Sequence, residues 1–201
     1  MLVKLCGYTP ATDAAALAEL PLDLVGLIFV PESPRYVGEE SFALPHAACV
    51  GVFRNASAKQ ILRQRTAWHF THVQLHGSES ATTARTLRDA GLIVLKAIGV
   101  DDPHVLAKAH LEYPPDSVDY FLFDSPGGGS GRAFEWSGLD AYAGETSFLL
   151  AGGIGPGDGA KIAAVTHPKF AGVDLNSRFE IAPGAKDLAR LRKFLRHELP
   201  R

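Results

Sequence analysis

Short apolar runs and amphipathic stretches alternate along this chain at nearly constant spacing. That rhythm limits the fold more than any single motif does. The apolar runs end near positions 6, 29, 53, 76, 97, 124, 151 and 175, so successive ends lie about 21 to 27 residues apart. Each interval has room for one strand, one helix and two short loops. Leu24–Val30 (LVGLIFV) is continuously apolar, as a strand covered on both faces must be. Eight such units in tandem predict an α/β protein with a closed (β/α)8 barrel, the TIM barrel. The competing arrangement is an open doubly wound sheet, and even spacing with no reversal favours closure. At 201 residues the barrel is small, since such folds usually take about 250.

Helix signals fall between the runs. Thr9-Pro10 reads as an N-cap followed by proline at the first helical position, with the helix running to about Leu20. Ser57 opens a second helix and Ser78 caps a third, closed by Gly91. Asp101-Asp102-Pro103 opens a fourth, another follows Phe134, Pro156 starts one reaching about Val165, and Lys186–Leu199 is the last. No linker or low-complexity segment interrupts the series, so a single domain over residues 1–201 is expected.

Composition narrows the function classes. Net charge is −2 and no basic stripe appears, which argues against nucleic acid. No stretch reaches the length of a membrane span, and the apolar N-terminal run is too short for a signal peptide. The two cysteines, Cys6 and Cys49, make no disulfide framework and suit a reducing compartment, hence the cytoplasm. Monomer and homodimer both stay open.

In a barrel of this kind the chemistry sits at the carboxyl ends of the strands. Those ends carry Cys6, the Pro31–Tyr36 loop, His76, Asp124, Gly152-Gly153 and Asp174–Arg178. Side-chain alternation puts Lys4 with Cys6, Gln74 with His76, and Tyr120 and Leu122 with Asp124 on inward faces. Asp124 is either a cap for its own loop amides or a partly desolvated proton donor. Cys6 is either a small buried apolar residue or a base whose thiolate nearby donors stabilise. Gly152-Gly153 and Asn176-Ser177-Arg178 follow strands seven and eight, where this fold usually binds phosphate. Arg35 is either a solvated surface cation or a partner for a substrate carboxylate. His72 and His76 lie about 13 Å apart along a strand at 3.3 Å per residue, too far to share one ion, so no metal site is expected.

The ordered set of motifs resembles the N-(5′-phosphoribosyl)anthranilate isomerase family. It comprises Lys4-Leu5-Cys6-Gly7, Gly26–Tyr36 (GLIFVPESPRY), Val50–Phe53, Val73–Gly77 (VQLHG), Phe123–Ser125, Gly128–Gly131, Ala151–Gly153, Asp174–Glu180 and Pro183–Asp187. The resemblance covers nearly the whole chain. It implies an isomerase of tryptophan biosynthesis that needs no cofactor and carries out an Amadori rearrangement of a small phosphorylated substrate. It implies Asp124 as general acid and Cys6 as general base, and Arg35 near the anthranilate carboxylate. It places the phosphate around Gly129-Ser130, Gly152-Gly153 and Asn176-Ser177-Arg178, Asp174 on the ribose hydroxyls, and His76 lining the site. A related histidine-pathway isomerase and a non-catalytic phosphosugar-binding barrel are the alternatives. The chain departs from the family pattern at Asn176, usually serine, at Arg178, usually glycine, and at Arg132-Ala133.

Overall fold

A computed structural model describes residues 1–38, 41–44, 46–125 and 136–199. Eight parallel strands close into one barrel in chain order: β1 (Leu2–Leu5), β2 (Leu24–Ile28), β3 (Ala48–Phe53), β4 (His72–Leu75), β5 (Ile93–Gly99), β6 (Tyr120–Asp124), β7 (Ser147–Leu150) and β8 (Phe170–Leu175). The seam pairs β1 with β8 and sets Lys4 opposite Asp174. The outer layer is α1 (Ala14–Ala18), α2 (Ala58–Trp68), α3 (Ala81–Asp89), α4 (Pro103–Glu112), α5 (Gly159–Ala163) and α6 (Leu188–His197). The barrel expectation holds.

Alternation sorts each strand between two cores. Phe121, Phe123, Phe148 and Leu150 point outward into the layer beneath the helices. Val50, Val52 and Leu95 fill the barrel axis with Cys6, and Leu122 packs with Ala97 and Ala151 nearer β6 and β7.

Several helix boundaries differ from expectation. Thr9 does not cap α1. Its hydroxyl accepts from the Ala11 N–H at 3.3 Å and donates to the Gly184 carbonyl at 2.9 Å, as does that of Thr12 at 3.0 Å, while Asp13, which accepts from the Ala15 and Ala16 N–H groups, is the cap of α1. Ser80, not Ser78, caps α3, because Ser78 is held by the Asn55 side chain. The segment expected as a helix after Phe134 is a 3-10 helix, Trp136–Ala141. The described residues between β2 and β3 hold no helix. Aromatic rings cover the barrel there instead, with Phe29 stacked on Phe53 at 4.9 Å and Phe42 edge-on to Trp68 at 5.2 Å. A hairpin that sequence reading passed over, β9 (Glu180–Ala182) and β10 (Ala185–Lys186), turns at Gly184 with φ +83°. The left-handed φ there suits glycine.

Candidate active site

A cavity of about 600 Å³ opens at the carboxyl ends of the strands. Cys6, Arg35, His76, Asp124, Gly152, Gly153, Asp174, Asn176, Ser177 and Arg178 all line it. Of the residues singled out from sequence, Gly129 and Ser130 lie outside the described residues, as does the rest of the glycine loop.

Asp124 ends β6, and its Oδ1 accepts from the Ser125 N–H at 2.8 Å. Burial pushes its carboxyl up to about 6, helped by the charge of Asp174 and opposed by the Ser125 donors and Lys4. His76 Nε2 stands 3.7 Å from Asp124 Oδ2. The Gln74 amide donates to His76 Nδ1 at 2.9 Å, which leaves the proton of the neutral ring on Nε2, facing Asp124. Burial lowers His76 to about 4, and the nearby cations Lys4, Lys96 and Arg54 push it the same way. The ring is therefore uncharged at neutral pH.

Cys6 follows β1 and is buried. Burial raises its thiol above the ordinary range, while Lys4 and Lys186 pull the other way. A Cβ on Gly26 would stand 2.9 Å from Cys6 Sγ and 3.3 Å from Lys4 Nζ, so sulfur and ammonium share the space over that glycine. Lys4 is fully buried and donates to both oxygens of Asp174, at 2.9 and 3.0 Å. Burial alone would lower the Lys4 ammonium. Asp174 and Cys6 overrule it and hold the group above its usual value.

Gly152 and Gly153 line the cavity beside Asp124. Gly152 and Gly153 take φ of +82° and +69°. A side chain on Gly152 would strike the Ser125 N–H at 2.7 Å and Asp124 Oδ1 at 2.9 Å. Glycine therefore serves twice at that position, for backbone conformation and for close approach. The helix expected from Pro156 begins only at Gly159. The N–H groups of Gly155 and Gly157 are already taken by Asp158 and Glu198. The cavity wall there is made by the Gly152-Gly153 turn and by Asn176-Ser177-Arg178 after β8, and not by the residues that open α5.

Comparison with known proteins decides the family. Residues 3–197 match the family model described as N-(5'phosphoribosyl)anthranilate (PRA) isomerase. The chain belongs to the N-(5′-phosphoribosyl)anthranilate isomerase family. A relative of that name from Phocaeicola vulgatus is 39% identical over 199 residues, covering 97% of this chain and 96% of its own. The crystal structure of the Thermus thermophilus phosphoribosyl anthranilate isomerase superposes with a TM-score of 0.83 at 30% identity, covering 97% and 96% of the two chains. A phosphoribosyl anthranilate isomerase in complex with reduced 1-(o-carboxyphenylamino)-1-deoxyribulose 5-phosphate superposes with a TM-score of 0.79 at 28% identity, covering 98% of each.

Two departures from the family pattern now have a physical description. Arg178 has no positive φ, so its backbone makes no demand for glycine. Its exposed side chain packs on Gly155, where a Cβ would meet Arg178 Cβ at 2.9 Å. The Asn176 side chain accepts from Lys186 Nζ at 2.9 Å. Both substitutions leave the backbone of 176–178 at the cavity wall.

Sequence reading missed Glu180 and Lys186 as functional candidates. They lie within a quoted motif, but only the fold brings them to Arg35: Arg35 forks onto Glu180, and Lys186 Nζ reaches Glu180 Oε1 at 2.6 Å. Lys4 and Gln74 were legible as inward-facing residues, but no signal gave their partners. Among the described residues no three His, Cys, Asp or Glu side chains are grouped to hold a metal, and no helix is long and apolar enough to cross a membrane.

Proposed function

We propose that this chain isomerises N-(5′-phosphoribosyl)anthranilate to 1-(2-carboxyphenylamino)-1-deoxyribulose 5-phosphate, in tryptophan biosynthesis, with Asp124 as the acid and Cys6 as the base. The observation that carries the assignment of roles is a single cavity facing both groups. In it a carboxyl is held up near the working pH range, and a thiol is flanked by two ammonium groups.

Asp124 gives its proton to the ribose ring oxygen, the C1′–O bond breaks, and the nitrogen lone pair forms a Schiff base. Cys6 as thiolate removes the C2′ proton, and the electron pair moves toward the iminium nitrogen to give an enolamine. Tautomerisation of the enolamine yields the ketone. Arg35 meets the anthranilate carboxylate. The backbone of Gly152-Gly153, of Asn176-Ser177-Arg178 and of Gly129-Ser130 meets the phosphate. Asp174 meets the ribose hydroxyls and His76 lines the wall. A reducing compartment such as the cytoplasm suits a reaction that needs a free Cys6 thiol, and both monomer and homodimer are compatible with a site built within one barrel.

Turnover of phosphoribosylanthranilate, compared with turnover of the histidine-pathway aminoimidazole substrate, tests the reaction. Consumption of the first alone is expected. Cys6→Ala is expected to lower it by about 10²–10⁴-fold, the usual worth of a positioned acid or base.

The pH profile follows from the two displaced pKa values. Productive enzyme carries a protonated Asp124 and a deprotonated Cys6, although the carboxyl is the stronger acid. Between the two pKa values one fraction falls as fast as the other rises, so activity is flat. Below about pH 6 Asp124 is already protonated and loss of thiolate lowers the rate. Above the raised pKa of Cys6 the thiolate is complete and loss of the Asp124 proton lowers the rate. The acid limb therefore reports Asp124 and the alkaline limb Cys6. Alkylation of Cys6 against pH, in a Cys49→Ser background, is expected to follow the alkaline limb. Alkylation that follows the acid limb would reverse the assignment.

A further inference from the structure

Arg35 reaches the cavity wall from the loop after β2, and Glu180 stands behind it on β9. Arg35 Nε donates to both Glu180 oxygens at 2.9 and 3.0 Å, and Nη2 donates to Oε2 at 2.7 Å. Glu180 Oε1 also accepts from Lys186 Nζ at 2.6 Å and from the Gly184 N–H at 3.2 Å. The Glu180 side chain is 4% exposed and that of Lys186 is 0%. Arg35 lines the cavity and Glu180 does not.

A guanidinium carries five N–H groups in a rigid plane. Glu180 occupies the edge made by Nε and Nη2. The other edge, Nη1 with the second N–H of Nη2, has the spacing to take a further carboxylate in two-point fashion. Charge decides whether it can. An arginine neutralised by one glutamate offers an incoming anion little net attraction. Lys186 changes this, because two cations and one carboxylate leave the cluster with a net charge of plus one. The place of the fork is fixed as well. A Cβ on Gly7 would stand 2.7 Å from Arg35 Cδ and 3.4 Å from Lys186 Nζ, so both side chains pack on the residue next to Cys6.

We propose that Glu180 is the positioning residue of the carboxylate site: it grips one edge of Arg35 from behind, with its charge offset by Lys186, and presents the opposite edge to the aryl carboxylate of the substrate. The proposal rests on the reading of Arg35 given above. Glu180 itself does not touch the substrate. Its contribution is to aim a long side chain that otherwise samples many rotamers, at a considerable entropic cost on binding.

The test compares two ligands by calorimetry: reduced 1-(o-carboxyphenylamino)-1-deoxyribulose 5-phosphate, and the same molecule without its aryl carboxylate. Glu180→Gln is expected to weaken the first on the order of tenfold, as loss of one charge-assisted grip would, and to leave the second within about twofold. Glu180→Asp keeps the charge beside Lys186 but draws the fork back, and is expected to show the same selective loss. Arg35→Met is expected to weaken the carboxylate ligand at least as much, and Glu180→Gln on top of it to add nothing. Equal weakening of both ligands by Glu180→Gln, or tighter binding of the carboxylate ligand, would overturn the role of Glu180 while Arg35→Met stays selective. An Arg35→Met variant that fails to discriminate the two ligands would overturn the reading of Arg35 itself, and the Glu180 proposal with it.

Discussion

An Asp124→Asn variant is expected to lose turnover by about 10²–10⁴-fold and, at pH 7, to unfold at a higher temperature than the wild type. Both effects have one cause. Burial raises the Asp124 carboxyl from 3.8 to about 6, so the folded state disfavours the charge that neutral pH imposes. The sign follows from linkage. Below about pH 4 the carboxyl is protonated in folded and unfolded chains alike, and it costs nothing. As pH rises through 6 the folded chain must also ionise, and the full penalty of about 3 kcal/mol is present, since each tenfold change in proton affinity is worth roughly 1.4 kcal/mol. Asparagine never ionises and keeps the Oδ1 acceptor that the Ser125 N–H uses. The stability gain is therefore expected to be complete above about pH 6 and absent near pH 4, with a rise in Tm of about 6–12 °C for a chain of this size. Thermal unfolding of both proteins across that pH range checks it. A variant no more stable than wild type at pH 7 would show that Asp124 is not held in a desolvated state.

The second large effect is expected at Lys4. Lys4→Met removes the partner of a buried carboxylate and is expected to destabilise the protein by about 3–5 kcal/mol at neutral pH. Asp174 then takes up a proton more readily in the folded chain. Its folded pKa rises, and stability is lost as pH increases, so the defect shrinks in acid. Lys4→Met with Asp174→Asn removes both charges and is expected to recover most of the loss, giving a clear coupling energy in a double-mutant cycle. Denaturant unfolding of the four proteins at pH 5 and pH 7.5 measures it. Additive losses would show that the pair at 2.9 Å does not act as a unit.

The barrel was legible in sequence because its period is set by covalent length: one strand, one helix and two loops take a near-constant number of residues. The inward set Lys4, Cys6, Gln74 and Asp124 was legible because alternation along a strand is a local rule. What could not be read are pairings between distant residues. Arg35 looked like a solvated cation or a free carboxylate receptor, and only folding shows it forked onto Glu180, 145 positions away. Thr9 has every local mark of an N-cap, and its hydroxyl does accept from the Ala11 N–H at 3.3 Å, but it also donates to the Gly184 carbonyl, 175 positions along, and the helix starts only after Asp13. The aromatic cover that replaces a helix between β2 and β3 is of the same kind. Phe29, Phe42, Phe53 and Trp68 are scattered in sequence and meet only when the strands close.

The Lys4–Asp174 pair also constrains the order of events when the protein is made. Lys4 leaves the ribosome 170 residues before its counter-ion. Until then, any partial barrel that buried β1 would enclose an ammonium without its carboxylate, at a cost of several kcal/mol. Early, incomplete closure is thus penalised by the charge itself. Closure at the seam becomes favourable only when β8 arrives with its carboxylate, at the strand position opposite Lys4. The same ion pair that sits under the thiol therefore favours closure only once the last barrel strand is present.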